Sequence, residues 1–311
     1  LRPDDSGVLL FRRPLLPALI CALLWGSAFP AIKSVYQHWD SHGLERTLPV
    51  ILLFAGIRFS IAGTGLLLLG RNLQMEFQAT PWKLLIGLSL TQTFIQYIFF
   101  YQSVAVSSAS LAALLVATGS FWWMLLAPLI QKTSWPTPIQ WLGLLIGGIG
   151  VSLAIYKPGA GAGQPLLGGL FMLTATASGA LALIIFSKIK PTMSAINATG
   201  ISLSLGGLGL AAVGVQALQT IPEMFDRPVI FATLWLAFVS AAAFSIWNHL
   251  STIFPVTLLA SYRFLIPVCG VLEALILLKT ESPGWGLLAG GGLVIFSMLL
   301  ARRTNTKKSG S

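Results

Sequence analysis

The feature that most constrains this chain is a succession of apolar runs, each close to the about 20 residues a helix needs to cross a hydrocarbon core. Ten runs are read, over residues 14–36, 48–70, 81–103, 106–130, 138–156, 165–188, 197–220, 229–249, 254–278 and 283–301. In lipid each backbone N–H and C=O must be paired within the protein, so runs of this kind fold as helices. The connections are short and hold breakers, for example Trp135-Pro136-Thr137-Pro138 and Lys157-Pro158-Gly159, which leaves no room for a soluble domain. With 55% hydrophobic and 9% charged residues, the chain lacks the ionisable surface of a water-soluble fold. The expected class is an all-α membrane protein with ten transmembrane helices.

A formal net charge of +10 suits nucleic-acid binding only where basic residues form a patch, and here they are scattered between apolar blocks. They read as topology signals instead. With the N-terminus inside, the cytoplasmic segments hold Arg2, Arg12, Arg13, Arg71, Lys83, Lys132, Lys188, Lys190, Arg302, Arg303, Lys307 and Lys308. The opposite side holds only Arg46, Lys157, Arg227 and Lys279, while Lys33, Arg58 and Arg263 fall in or at the ends of helices. Basic residues concentrate on the cytoplasmic side of a membrane protein, so both termini are expected there, in a bacterial inner membrane. Cys21 and Cys269 lie within apolar runs and form no disulfide or metal-ligand pattern.

The chain also reads as duplicated. Gly143-Leu144-Leu145-Ile146-Gly147-Gly148 and Gly286-Leu287-Leu288-Ala289-Gly290-Gly291 each follow a Trp and, earlier, a Lys-Thr pair, Lys132-Thr133 and Lys279-Thr280. Two five-helix repeats are expected, over 14–156 and 165–301, joined by a linker at 157–164 and flanked by cytoplasmic segments 1–13 and 302–311. An odd number of helices per half inverts the second copy, as in many secondary transporters. The same glycines also form small-xxx-small packing faces, and the two roles are compatible.

Three blocks carry a family resemblance: Trp25-Gly26-Ser27-Ala28-Phe29 with Lys33, Arg58-Phe59, and Phe264-Leu265-Ile266-Pro267-Val268 through Glu281 and Gly286. On these residues the chain resembles the drug/metabolite transporter superfamily, and within it the EamA-type carriers, over about 14–301. The first half departs from the last block, with Ser120 standing where Pro267 would align and Ser134 where Glu281 would. The resemblance implies two inverted five-helix halves, cytoplasmic termini, a central cavity and transport, often export, of amino acids or related metabolites.

Ionisable side chains inside a span are costly and normally face a cavity or a partner. Arg58 lies near the middle of the second run, with a solute or backbone carbonyls as its expected partners. Arg263 follows Tyr262 one turn before Pro267, which frees a carbonyl from its helical donor, and is a candidate for a solute carboxylate. Glu273 is the one carboxylate placed within a span. An apolar environment favours its neutral form, which makes it a candidate proton carrier, with a helix-end position or a basic partner as the alternative. In the third run Gln92 and Gln96 share one face and Thr93, Tyr97 and Tyr101 another. So much polar chemistry is expected to border a cavity, or else to bond neighbouring helices.

Trp25 beside Gly26-Ser27, Trp122-Trp123 and Trp247-Asn248 supply rings for stacking or for holding a cation, whereas Trp39, Trp82, Trp135 and Trp285 are expected at the membrane interface. The solute site is thus expected from Trp25, Arg58, Gln92, Gln96, Tyr97, Trp123, Trp247, Asn248, Tyr262 and Arg263. His38 and His42 are spaced as a metal pair but have no third ligand in sequence. Asn197-Ala198-Thr199 fits a glycosylation pattern on the wrong side of the membrane.

No phosphate-binding Gly-rich loop is present, so the expected activity is secondary transport of a small organic metabolite by alternating access, without a cofactor. The expected partners are the solute, membrane lipid and a coupling proton or ion, with no nucleic acid, in a monomer or homodimer. An intramembrane enzyme acting on a lipid head group, and a non-transporting scaffold, are the competing expectations. The first would need a clustered acid, base or metal set that the helices do not supply.

Overall fold

The computed structural model of the chain describes residues 14–306 apart from 133, 162, 255–258, 260, 261 and 264, and side chains as far as residue 300. Eight of the described helices are long and apolar enough to span a membrane: α1 (Leu15–Ser41), α2 (Leu48–Leu69), α3 (Trp82–Val106), α4 (Ala109–Gln131), α5 (Pro138–Tyr156), α6 (Pro165–Ile189), α7 (Ala195–Val213) and α8 (Arg227–Ile253). Two more apolar helices follow, α9 (Leu265–Leu277) and α10 (Trp285–Thr306).

Helix boundaries move by a turn or so from those expected. The first helix runs on to Ser41, and the seventh stops at Val213, where Gly214 precedes a 3-10 turn over Val215–Thr220. Part of the expected ninth span, the N-terminal segment 1–13 and the end of the C-terminal tail lie outside the described residues.

Starts are set by side-chain caps. Thr137 accepts from the Gln140 N–H while the Gln140 side chain accepts from the Thr137 N–H, and Ser108, Ser194 and Asp226 accept from Leu111, Asn197 and Val229. Within α3, residues Ser89–Ile95 form a π-helical stretch. Ser89 and Thr91 donate their hydroxyls to the carbonyls of Leu85 and Gly87, which competes with the backbone ladder at this point.

Glycine contacts decide the packing. Along α2 and α7, Gly56 meets Ala211, Gly63 meets Ser204 and Gly70 meets Asn197. One number rises as the other falls, so the two helices run antiparallel. Helix α5 meets α10 through Gly150, Gly286 and Gly290, while α1 lies against α8 and α9, and α6 against α3 and α4. Small residues let backbones approach until dispersion between them holds the pair together.

Both ends of the bundle are tied between helices: at one, Glu76 Oε2 accepts from the Ser194 N–H and the Asn197 side chain and Lys190 Nζ donates to the Ser251 carbonyl, and a short hairpin marks the other. There β1 (Gly159–Ala160) pairs antiparallel with β2 (Ser282–Pro283), and this end is called the hairpin face below. His38 Nε2 lies 2.6 Å from Asp226 Oδ2, Trp39 Nε1 donates to the Met224 carbonyl at 3.0 Å, and Arg46 Nε donates to Asp40 Oδ1 at 2.7 Å. Desolvation is the largest single influence on the Asp226 carboxyl and acts upward, but the Val229 N–H, His38 and His42 together outweigh it and hold the carboxyl below the usual carboxylate range.

Glu281 accepts from the backbone N–H of Ala109 (2.6 Å) and Ser110 (3.0 Å) at the start of α4, and Lys33 Nζ donates to the carbonyls of Val104 (3.2 Å) and Ser107 (2.7 Å) where α3 ends. Each charge matches the partial charge of the helix end it meets. Trp39 corrects an expectation: it is 1% exposed, deep in the core, because its indole N–H has a carbonyl partner there. Trp82, Trp135 and Trp285 are exposed.

A side chain at Gly63 would drive into the Ser204 backbone, whereas one at Gly65 meets nothing within 4 Å. Gly63→Val is therefore expected to lower stability by about 1–3 kcal/mol, and Gly65→Val to leave the melting temperature in detergent unchanged.

Candidate functional site: a central cavity

Between α1–α4, α6, α8 and α9 lies a cavity with about 910 Å³ of atom-free space counting its open side. Helix α1 brings Trp25 and Phe29, α2 Arg58, α3 Gln92, Gln96, Tyr97 and Phe100, α6 Thr176 and Gly179, α8 Phe244, Trp247 and Asn248, and the segment before α9 Arg263. Eight of the expected solute contacts therefore meet: Trp25, Arg58, Gln92, Gln96, Tyr97, Trp247, Asn248 and Arg263.

Arg58 is 2% exposed. Its Nη2 donates to Ser240 Oγ at 2.8 Å, so the partner is a hydroxyl of α8 and not the expected backbone carbonyls. Its Nε and Nη1 are buried without a partner. The guanidinium carbon lies 4.2 Å from the ring centre of Phe59, 5.4 Å from Tyr101 and 5.7 Å from Tyr97. Aromatic faces ease a buried cation only in part, and no carboxylate pairs with it among the described residues.

The remaining polar groups are set by their helices. Gln92 is 5% exposed and its Nε2 is also buried without a partner. Gln96 fits because position 179 is glycine: a Cβ there would sit 2.8 Å from its Oε1. Asn248 donates to Thr199 Oγ1 at 2.8 Å. Trp25 meets Phe244 edge-on at 5.3 Å and Trp247 at 5.7 Å, which makes one aromatic wall. Arg263 Nη2 lies 3.1 Å from where a Cβ on Gly119 would stand.

Three expected residues lie elsewhere. Trp123 lines a small adjoining space with Ser120, Ser251 and Leu259, which shares Leu183, Trp247 and Arg263 with the main cavity. Tyr262 lines neither space and packs with the cluster of Ala18, Cys21 and Trp247. Glu273 is off the cavity: its Oε1 is buried without a partner, beside Gly26 of α1. Phe29, Phe100, Thr176, Gly179 and Phe244 were not read from sequence. Phe244 had a signal, since it sits three and four residues before Trp247 and Asn248 on one helical face. Gly179 had none, because its importance is the room it leaves for Gln96.

Replacing a buried, incompletely paired charge by an apolar group of similar size is often neutral or stabilising. Arg58→Met is therefore expected to keep or raise the melting temperature of the solute-free protein. A fall of several degrees would mark Arg58 as a structural residue.

Residues 12–156 match the EamA-like transporter family. The chain is 26% identical over 288 residues to a probable amino-acid metabolite efflux pump of Escherichia coli, covering 86% of this chain and 87% of that protein. It is also 26% identical over 268 residues to an uncharacterized transporter of Synechocystis, covering 79% and 76%. A solved crystal structure superposes with a TM-score of 0.59 at 15% identity, covering 94% of this chain and 99% of that one, a likeness of fold alone.

Proposed function

We propose that this chain, whose first half is an EamA-like transporter domain, is a secondary transporter that moves a small organic metabolite by alternating access. The matched family and the named relatives are transporters, so the chain is not an enzyme. The observation that carries the proposal is the cavity, which draws its polar and aromatic lining from five of the spanning helices and from Arg263.

Helix packing supports two inverted five-helix units. Helix α1 lies against α8 and α9 as α6 lies against α3 and α4, and α2 meets α7, and α5 meets α10. Exchanging each helix of the first five for its counterpart in the second five turns every one of these contacts into another or into itself, as an inverted repeat requires. Rocking one unit against the other would break the hairpin-face fastenings and close the opposite end.

Charge placement puts both termini in the cytoplasm of a bacterial inner membrane, and the hairpin face outside. The adjoining space beside Trp123, Ser251 and Leu259, on the cytoplasmic side in this orientation, supports loading from the cytoplasm, as in an exporter. The printed name of the Escherichia coli relative points to an amino acid or related solute as cargo. Glu273, with a buried oxygen lacking any partner beside α1, is the candidate proton carrier.

Two measurements in proteoliposomes test this. Gly179→Leu displaces Gln96 into the cavity and is expected to abolish counterflow of the transported solute without lowering the melting temperature. Absence of flux from the wild-type protein across a panel of amino acids and organic acids would favour the scaffold reading. Glu273→Gln is expected to retain exchange and lose accumulation against a gradient on an imposed pH difference; full accumulation by the variant would remove the proton role.

A further inference from the structure

We infer that the cargo is an organic monoanion with an apolar or aromatic body: an amino-acid-related solute whose amine is absent or acylated, not a free zwitterion. The inference rests on the transporter reading above and narrows its substrate class.

It follows from which groups are left unpaired at the site. The residues lining the cavity include three buried donors with no acceptor, Arg58 Nε, Arg58 Nη1 and Gln92 Nε2. A buried cation without a counter-ion is unfavourable, and a carboxylate can accept a charge-assisted hydrogen bond from the free Nε–H or Nη1–H, each of which shares an edge with the Nη2 that donates to Ser240. Trp25, Phe244 and Trp247, with Tyr97 edge-on to Phe244 at 6.4 Å and Phe100 beside Tyr97, offer rings to the rest of the molecule.

An ammonium group finds no such reception. No acidic residue lines the cavity among the described residues. Of the carboxylates nearest in the fold, Glu281 is committed to the N–H groups of Ala109 and Ser110, and Glu273 faces Gly26 on α1. A second cation, Arg263, lines the same space and would repel an incoming amine while attracting an acid. Ring faces alone compensate poorly for the lost hydration of an ammonium ion. Neutral amides such as Gln96 and Asn248 are compatible with an acylated nitrogen or an oxo group in its place.

Three probes that share one phenyl body separate the charge states: 3-phenylpropanoate (anion), phenylalanine (zwitterion) and 2-phenylethylamine (cation). Each is titrated against the purified full-length protein in detergent, and the melting temperature is read. The anion is expected to stabilise at a concentration at least about tenfold lower than the zwitterion, as the loss of one charge-assisted contact implies, and the cation is expected to give no shift. Arg58→Met is expected to abolish the anion's shift. Arg58→Lys, which keeps the charge but loses the planar fork, is expected to weaken it about tenfold or more. Arg263→Gln provides a second, independently placed variant with reduced response.

Equal or tighter binding of phenylalanine or phenylethylamine would overturn the inference, as would an anion shift that survives in both Arg58→Met and Arg263→Gln, or no shift with any probe. None of these touches the transporter reading, which fails separately if the wild-type protein carries no solute across liposomes.

Discussion

A guanidinium held within a bundle of apolar helices is the constraint on which the rest of this structure turns. Arg58 can be tolerated at 2% exposure only if other helices bring hydroxyl and ring groups to it. Ser240 of α8 and the rings of Tyr97 and Tyr101 of α3 do so. Its direction is set from behind: Gly56 and Gly63, seven residues apart and so on one face of α2, press against α7. Two residues from Gly56 is nearly the opposite side of a helix, so Arg58 is turned into the bundle. The cavity exists because these helices surround that charge without closing on it.

The hairpin face answers a different demand. The break between α3 and α4 at Ser107 and Ser108 leaves carbonyls and N–H groups that lipid cannot satisfy. Lys33 takes the carbonyl end and Glu281 the N–H end. One comes from α1 and the other from the turn after α9, so capping a broken helix also ties together distant parts of the chain. His38 with Asp226, and Trp39 with Met224, add links between α1 and the start of α8. Such contacts are local and reversible, as the proposed alternation of the open side requires.

Much of this architecture was legible in the one-dimensional pattern. Apolar length located the helices, and Pro and Gly breakers marked connections such as Trp135-Pro136-Thr137-Pro138 and Lys157-Pro158-Gly159. The polar residues singled out for their cost in lipid mostly did converge, Arg58, Gln92, Gln96 and Arg263 among them. Trp39 misled because a tryptophan near a helix end reads as interfacial, while its burial depends on a carbonyl of Met224 far along the chain. Tyr262 misled because adjacency to Arg263 in sequence does not place both side chains on one face.

By itself, then, the sequence determined the all-helical membrane class, the approximate spans and the residues too polar to face lipid, since these follow from hydrophobicity and local backbone chemistry. Tertiary structure alone decided that Gly179 makes room for Gln96, that Ser240 is the partner of Arg58, that Glu281 caps α4, and that Glu273 stands apart from the cavity. These are relations between helices dozens to hundreds of residues apart. Periodicity fixes which face of a helix a residue occupies, but only the packing of whole helices fixes what that face meets.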